Sequence, residues 1–126
     1  MLRKVYVVDD EKFDRLLYKR EIDKSGVVEE LELFSKAEDA LAALRSGADR
    51  PDLIFLDINM PGMTGFDFLE QIDDDLADAQ PPTVVAVLTT SSDPRDETRA
   101  RSFRSTRHFL HKPLRSATLI EMAGSR

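Results

Sequence analysis

The chain of 126 residues contains no cysteine. This absence excludes a disulfide framework and any metal site built from thiolate ligands. The chain also lacks an apolar run long enough to span a membrane, and no apolar stretch follows a basic start as it would in a signal peptide. We therefore expect a cytoplasmic protein that makes no contact with a membrane.

Length and composition are typical of one soluble globular domain. A chain of 126 residues can bury a single hydrophobic core. Apolar residues make up 41% and charged residues 33% of the sequence, which disfavours a disordered protein. No internal repeat or low-complexity segment is present. We expect one domain over residues 1–126.

The negative charge is unevenly distributed. The net charge is −6, but residues 94–115 hold seven basic residues against two acidic ones, a balance of +5 that leaves −11 for the rest. The acidic body disfavours nucleic-acid binding. The basic segment faces either solvent or an acidic partner, and the arginines that would receive such a partner are Arg95, Arg99, Arg101 and Arg104.

Strand-like and helix-like segments alternate along the chain. The predicted strands are Lys4–Val8, Val28–Phe34, Leu53–Leu56, Thr83–Leu88 and His108–His111. The predicted helices are Glu11–Lys24, Ser35 to about Arg45, Phe66–Leu76, Asp93 to about Phe103, and a last one from Ser116 nearly to the chain end. Residues 73–82 are interpreted as a long, acidic and mobile connector.

The helix boundaries and faces follow from local patterns. In the first helix we expect the apolar side chains Phe13, Leu16, Leu17 and Ile22 to share one face. Ser35 is a candidate N-cap for the second helix. Asp93 followed by Pro94 is a good cap and first residue for the fourth.

Five successive strand–helix units predict an α/β fold, with a parallel sheet covered by helices on both faces. The order of the elements fits a doubly wound, flavodoxin-like sheet with strand order 2-1-3-4-5. In that arrangement strands 1 and 3 flank the switch point, where ligands bind beyond the carboxyl ends of the strands.

Carboxylates follow both of these strands. Asp9 and Asp10 come directly after the first strand, and Asp57 closes the third. Three carboxylates in one crevice repel one another, which favours a bound divalent cation.

Four short motifs, each at the end of a predicted strand, together resemble the receiver domain of two-component response regulators. They are Val8-Asp9-Asp10-Glu11, Leu56-Asp57-Ile58-Asn59-Met60-Pro61-Gly62-Met63-Thr64-Gly65, Leu88-Thr89-Thr90-Ser91 and Lys112-Pro113. The resemblance covers residues 3 to about 123.

The resemblance implies a phosphoacceptor site around Asp57. Asp57 would take a phosphoryl group as the nucleophile. Asp10 and Asp57 would bind Mg²⁺ directly, Asp9 directly or through a water, and Asn59 through its backbone carbonyl. Mn²⁺ is a plausible substitute. Lys112 would contact the phosphoryl group.

Further roles are implied for the ends of the fourth and fifth strands. Thr89 would donate its hydroxyl, and Thr90 its backbone N–H, to the phosphoryl group. The bond between Lys112 and Pro113 would be cis. Thr89 and Phe109 would switch the face formed by the fourth helix, fifth strand and fifth helix, although Phe109 buried in both states is an alternative.

The same resemblance implies a signalling protein that catalyses only its own phosphorylation and dephosphorylation. Its partners would be a sensor histidine kinase or a histidine phosphotransfer protein, and a downstream protein target. Asn59 and Ser91 would tune hydrolysis, and small polar residues there predict a short-lived phosphorylated state. The chain ends shortly after Pro113, so we expect a stand-alone receiver without an output domain, most simply a monomer.

Other interpretations stay open at this point. Asp9 and Asp10 could merely cap the first helix, Thr89 could be an ordinary strand residue, and Lys112 a surface lysine. A phosphorylation-independent interaction module, an Mg²⁺-dependent aspartyl phosphatase and a flavodoxin-like cofactor binder are alternative functions. His108 and His111, three apart on a strand, point to opposite faces and are not expected to bind one metal ion.

Overall fold

A computed structural model describes residues 1–47 and 49–124. The strands are β1 (Leu2–Val8), β2 (Val28–Phe34), β3 (Leu53–Leu56), β4 (Val84–Thr89) and β5 (Thr106–His111). The helices are α1 (Lys12–Ser25), α2 (Ala37–Arg45), α3 (Gly65–Asp78), α4 (Pro94–Arg101) and α5 (Ser116–Gly124). Strand and helix alternate throughout, as the sequence pattern predicts.

The five strands form one parallel sheet in the order β2-β1-β3-β4-β5, which confirms the predicted fold class. In the pairing of β1 with β3, Val8 lies opposite Leu56. The backbone N–H of Asp57 donates to the carbonyl of Val8 at 3.0 Å. The residues that follow these two strands therefore emerge side by side at one edge of the sheet.

Helices cover both faces of the sheet and enclose two apolar clusters. One cluster joins the sheet to α2, α3 and Ala100 of α4. The other joins it to α1 and α5 through Tyr18, Ile22, Leu119 and Met122. Burial on both faces explains why β3 is a continuous run of apolar residues, all of them buried.

The buried face of α1 differs from the prediction. Phe13 and Leu16 are 69% and 54% exposed, whereas Tyr18 and Ile22, one turn apart, are the buried residues of this helix. The prediction is confirmed for Ile22 and wrong for Phe13 and Leu16, because it weighed hydrophobicity alone. The hydroxyl of Tyr18 donates to the buried carboxylate of Asp9 at 2.8 Å, and this contact helps to set the rotation of the helix.

The start of α2 and the end of α4 also differ from the prediction. The N-cap of α2 is Lys36, without a side-chain hydrogen bond, so Ser35 is not the cap. The arginine-rich helix ends at Arg101 rather than near Phe103, and β5 correspondingly begins at Thr106. The predicted cap of α4 is present, because the side chain of Asp93 accepts from the backbone N–H of Arg95 at 2.9 Å.

The predicted acidic connector is largely helical, since α3 runs on to Asp78. Leu76 is fully buried and anchors this last part of the helix. Asp73 accepts hydrogen bonds from the backbone N–H groups of Arg104 and Ser105, at 2.9 and 2.8 Å. The guanidinium of Arg104 also contacts Asp78 at 2.6 Å, so like charges on α3 are compensated within the chain.

Within the described residues, none of the helices has the length and apolar character needed to cross a bilayer.

Gly65 brings the start of α3 against the loop that follows β3. A Cβ atom added there would lie 2.5 Å from the carbonyl oxygen of Asp57 and 2.7 Å from the Cα atom of Ile58. Both neighbours are backbone atoms, so the loop carrying Asp57 would have to shift. Only glycine fits this close approach.

We expect Gly65→Ala to lower the free energy of unfolding by roughly 1–3 kcal/mol, the scale of an overpacked site. Urea unfolding followed by circular dichroism measures this change. Gly124→Ala is the matched control, because a Cβ atom at Gly124 meets no atom within 4 Å. Equal stability of the two variants would contradict the close-packing argument.

Candidate functional site

Asp9, Asp10 and Asp57 lie together at the carboxyl edge of the sheet. One carboxylate oxygen from each lies within 4.8 Å of the others. Asp9 and Asp57 are only 1% and 6% exposed, and Asp10 is half-buried. The structure thus brings together the three acids that the strand ends predicted, and among the described residues no other group of acids and histidines is clustered closely enough to hold a metal ion.

Asp57 is held by one backbone donor and one cation. Its Oδ1 accepts from the backbone N–H of Asn59 at 2.9 Å, and its Oδ2 accepts from Nζ of Lys112 at 3.1 Å. Burial raises the pKa of Asp57, and the hydrogen bond from Asn59 and the charge of Lys112 offset only part of that effect. The carboxylate is therefore in a higher-energy environment than an exposed aspartate.

Asp9 is the most heavily bonded of the three acids. Its Oδ2 accepts from the Tyr18 hydroxyl and from Nζ of Lys112, both at 2.8 Å, and its Oδ1 accepts from the backbone N–H of Glu11 at 2.9 Å. Sequence reasoning missed Tyr18. The spacing of nine residues between Asp9 and Tyr18 was the available signal, but only the helix rotation shows that the phenol faces the site.

Lys112 stands among the carboxylates rather than on the surface. Its ammonium contacts Asp9, Asp57 and also Asp14, at 2.8, 3.1 and 2.9 Å. Burial lowers the pKa of Lys112, but the hydrogen bonds to Asp9 and Asp14 and nearby negative charge outweigh it, so the net pKa is raised. Lys112 is cationic in the folded protein, and Asp14 is a second residue that sequence reasoning missed.

Thr89 is completely buried at the end of β4. Its hydroxyl oxygen accepts from the backbone N–H of Ser91 at 3.0 Å and from Nδ2 of Asn59 at 3.4 Å. These bonds leave the hydroxyl proton of Thr89 for another acceptor. The carbonyl of Thr89 accepts from the backbone N–H of Lys112 at 2.9 Å, which places the two side chains at adjacent strand ends.

The remaining predicted residues border this group. Thr90 is exposed, as is Asn59, and the Ser91 hydroxyl donates to Asp96 in the first turn of α4. Phe109 is half-buried and packs against the cluster on the α4 side of the sheet. The peptide bond between Lys112 and Pro113 is cis.

The two histidines lie outside the acidic group. His108 is half-buried, and burial lowers its pKa, with the charges of Arg101 and Arg107 acting in the same direction. The ring of His111 contacts Phe109 edge to face, with centroids 5.8 Å apart. Neither histidine belongs to the group of possible metal ligands described above.

The four arginines that would receive an acidic partner are paired with carboxylates of the same chain. Arg95 contacts Asp93 and Arg101 contacts Glu97, both at 2.8 Å. The other two reach α3, where Arg99 contacts Glu70 and Arg104 contacts Asp74 and Asp78. These pairs offset the positive charge of the four arginines within the chain.

The carboxylate oxygens of the acidic group are suitable ligands for a hard divalent cation. Carboxylate oxygens are the protein ligands that Mg²⁺ prefers, and one or two of them with several waters complete its shell. The half-exposed Asp10 side chain leaves one side of the group open to water. The residues present therefore fit a magnesium site.

The sheet order and this arrangement of acids, lysine and threonine define a receiver-type site. A family model for the response regulator receiver domain matches residues 5–124 of the chain. The chain belongs to this family, which confirms the resemblance seen in the sequence. Membership of this family disfavours a flavodoxin-like cofactor binder and an aspartyl phosphatase.

Among curated proteins, the chain is similar to the sensory/regulatory protein RpfC of Xanthomonas campestris pv. campestris. The two are 30% identical over 118 residues, which cover 94% of this chain and 16% of that protein. The chain therefore spans only a small part of this relative's length.

Two solved structures show the same fold over at least 90% of their length. A two-component response regulator from Cytophaga hutchinsonii is 25% identical, with a TM-score of 0.86 and coverage of 98% of this chain and 96% of that one. The Mn²⁺-bound form of response regulator Rcp1 is 26% identical, with a TM-score of 0.77 and coverage of 98% and 90%.

The raised pKa of Asp57 has a consequence for stability. The folded protein binds a proton at Asp57 more tightly than the unfolded chain does, so this group favours folding below its unfolded pKa and loses that contribution as pH rises through its folded pKa. With metal removed by a chelator, we expect Asp57→Asn to be more stable than wild type at neutral pH. The gain should shrink as the pH falls.

Denaturant unfolding between acidic and neutral pH measures this difference. Asp78→Asn is the control of opposite sign, because hydrogen bonds and charge from Arg104 lower the pKa of Asp78. That variant should not gain stability at neutral pH. A neutral-pH stability of Asp57→Asn below that of wild type would contradict the assigned environment of Asp57.

Proposed function

We propose that this chain is the phosphoacceptor of a His–Asp phosphorelay and that Asp57 accepts the phosphoryl group. The observation that carries the proposal is the contact of the buried Asp57 carboxylate with Lys112, beside Asp9 and Asp10. A nucleophile, a cation and two further acids at one strand edge are the parts that phosphoryl transfer to a carboxylate requires.

The transfer balances as a simple displacement. A carboxylate oxygen of Asp57 forms a bond to phosphorus, and the bond from phosphorus to the donor's histidine nitrogen breaks. The imidazole leaves with the electron pair of that bond. The released ring nitrogen takes up a proton from water, which gives a neutral imidazole. The product is an acyl phosphate on Asp57.

Lys112 and Thr89 would stabilise the transferred group. The ammonium of Lys112, 3.1 Å from Asp57, is placed to neutralise charge on the phosphoryl oxygens. The hydroxyl of Thr89 has its oxygen engaged as an acceptor and its proton free to donate. The backbone N–H of Thr90, an exposed residue, would be a further donor.

Asp9, Asp10 and Asp57, with the backbone carbonyl of Asn59, would hold Mg²⁺, or Mn²⁺ in its place. The bound cation would neutralise negative charge on the phosphoryl group and orient its oxygens. The Mn²⁺-bound state of the structural relative Rcp1 supports this assignment.

Phosphorylation would add negative charge of roughly −1.5 to −2, by analogy with phosphorylated hydroxyl side chains. Movement of the Thr89 hydroxyl toward that charge would break its contacts with Ser91 and Asn59, at 3.0 and 3.4 Å. Space vacated by Thr89 would admit Phe109, which already packs at this side of the sheet. The face formed by α4, β5 and α5 would change shape for a downstream protein.

The donor in this proposal is a sensor histidine kinase or a histidine phosphotransfer protein in the cytoplasm. The chain catalyses only its own phosphorylation and dephosphorylation, and it acts as a monomer. Asn59 and Ser91, small and polar at the rim of the site, predict rapid hydrolysis of the acyl phosphate. A half-life of many hours at neutral pH would contradict that expectation.

We expect incubation with Mg²⁺ and acetyl phosphate to add one phosphoryl group to the wild-type chain. Intact-protein mass spectrometry measures the addition, and borohydride trapping with peptide mapping locates it at Asp57. Asp57→Asn should remain unlabelled, and a chelator should abolish labelling of the wild type. Labelling that persists in Asp57→Asn, or its absence from folded wild type, would refute the proposal.

The switch is tested separately through Thr89→Ala. This variant should still be labelled at Asp57, but the amide resonances of α4 and β5 should shift much less on phosphorylation than in wild type. Thr98→Ala is the control, since Thr98 is exposed on α4 and its hydroxyl donates to the carbonyl of Pro94 in the same helix. Equal shifts in Thr89→Ala and wild type would remove Thr89 from the switch.

A further inference from the structure

The ammonium of Lys112 has a carboxylate partner outside the acidic group at the strand ends. Asp14 belongs to the first turn of α1, and its Oδ2 accepts from Nζ of Lys112 at 2.9 Å. Helix α1 therefore contributes a charge to the site in addition to the predicted strand-end residues.

The contacts of Lys112 use all of its donors. An ammonium carries three N–H groups and accepts no hydrogen bond. Asp9, Asp14 and Asp57 take one each, at 2.8, 2.9 and 3.1 Å. The bond to the phosphoacceptor Asp57 is the longest of the three. Lys112 can donate to additional phosphoryl oxygens only by giving up a carboxylate that it already contacts.

Asp14 is the partner that can be released at least cost. Its side chain is 28% exposed, whereas those of Asp9 and Asp57 are 1% and 7% exposed. A carboxylate open to solvent replaces a lost hydrogen bond with one from water, but a buried carboxylate does not. Release of Asp14 would give the Lys112 ammonium a second arrangement, in which a phosphoryl oxygen takes the place of Asp14.

We propose that Asp14 is a positioning residue that competes with the incoming phosphoryl group for Lys112 and thereby slows phosphorylation of Asp57. This inference rests on the proposed function. Asp14 slows phosphorylation of Asp57 in two ways. It occupies a donor of Lys112, and its negative charge opposes the approach of an anionic phosphodonor.

The direct test is Asp14→Asn, which keeps the shape of the side chain and removes its charge. The initial rate of Asp57 labelling by acetyl phosphate at saturating Mg²⁺ should rise roughly two- to fivefold, the scale of one partly exposed ion pair. Asp23→Asn is the matched control, because it removes a charge from the same helix at a residue that contacts Lys19 rather than Lys112. Its labelling rate should equal that of wild type.

A second readout needs no phosphoryl group. Solvent exchange of the Lys112 ammonium protons, followed by ¹H–¹⁵N NMR without metal or donor, should be faster in Asp14→Asn than in wild type and unchanged in Asp23→Asn. A loss of fold would appear in the rest of the same spectra, so it is separated from a local effect.

The outcomes distinguish this inference from the function on which it rests. If wild type and Asp23→Asn are labelled and Asp14→Asn is labelled no faster, the competition by Asp14 is wrong. If folded wild type is not labelled at all, the proposed function fails. The exchange experiment then decides whether Asp14 restrains Lys112, and an unchanged exchange rate in Asp14→Asn overturns that contact as well.

Discussion

The contact between one ammonium group and the carboxylates around it is the interaction on which this site depends. Asp9 and Asp57 are nearly excluded from water at neighbouring strand ends, where their charges repel each other. The Nζ atom of Lys112 lies within 3.1 Å of both and supplies the compensating charge. The backbone hydrogen bond from Lys112 to Thr89 joins β5 to β4 at that point. The pairing of these strands therefore places the Lys112 ammonium beside the acids.

The arrangement that suits phosphoryl transfer is unfavourable for the folded chain in one respect. Burial raises the pKa of Asp57, which means that its ionised form is destabilised where it lies. Residues that are costly in this way are typical of functional sites, where activity rather than stability determines the side chain. Gly65 is the opposite case, since the start of α3 approaches the Asp57 backbone too closely for any side chain, and glycine there favours the fold.

The fold and the strand-end residues could be predicted because the spacing of apolar residues, the turn residues and the acids that follow apolar runs are all visible in short stretches of sequence. The features that were missed depend on how helices rotate and pair after they form. Phe13 and Leu16 are apolar yet exposed, because Tyr18 turns toward Asp9 instead. Asp14 has no distinguishing local pattern, and only the packing of α1 places it beside Lys112. The acidic end of α3 resembled a connector, since its pairing with Arg104 joins residues about thirty positions apart.

The ion pairs between α3 and the segment containing α4 give that face a dependence on its surroundings. Arg99 lies over the ring of Phe66 at 4.2 Å and contacts Glu70, and Arg104 contacts two acids near the end of α3. Exposed pairs of this kind weaken as salt screens them, whereas an apolar contact does not. The electrostatic part of the contact between α3 and the segment containing Arg99 and Arg104 is therefore expected to weaken as ionic strength rises.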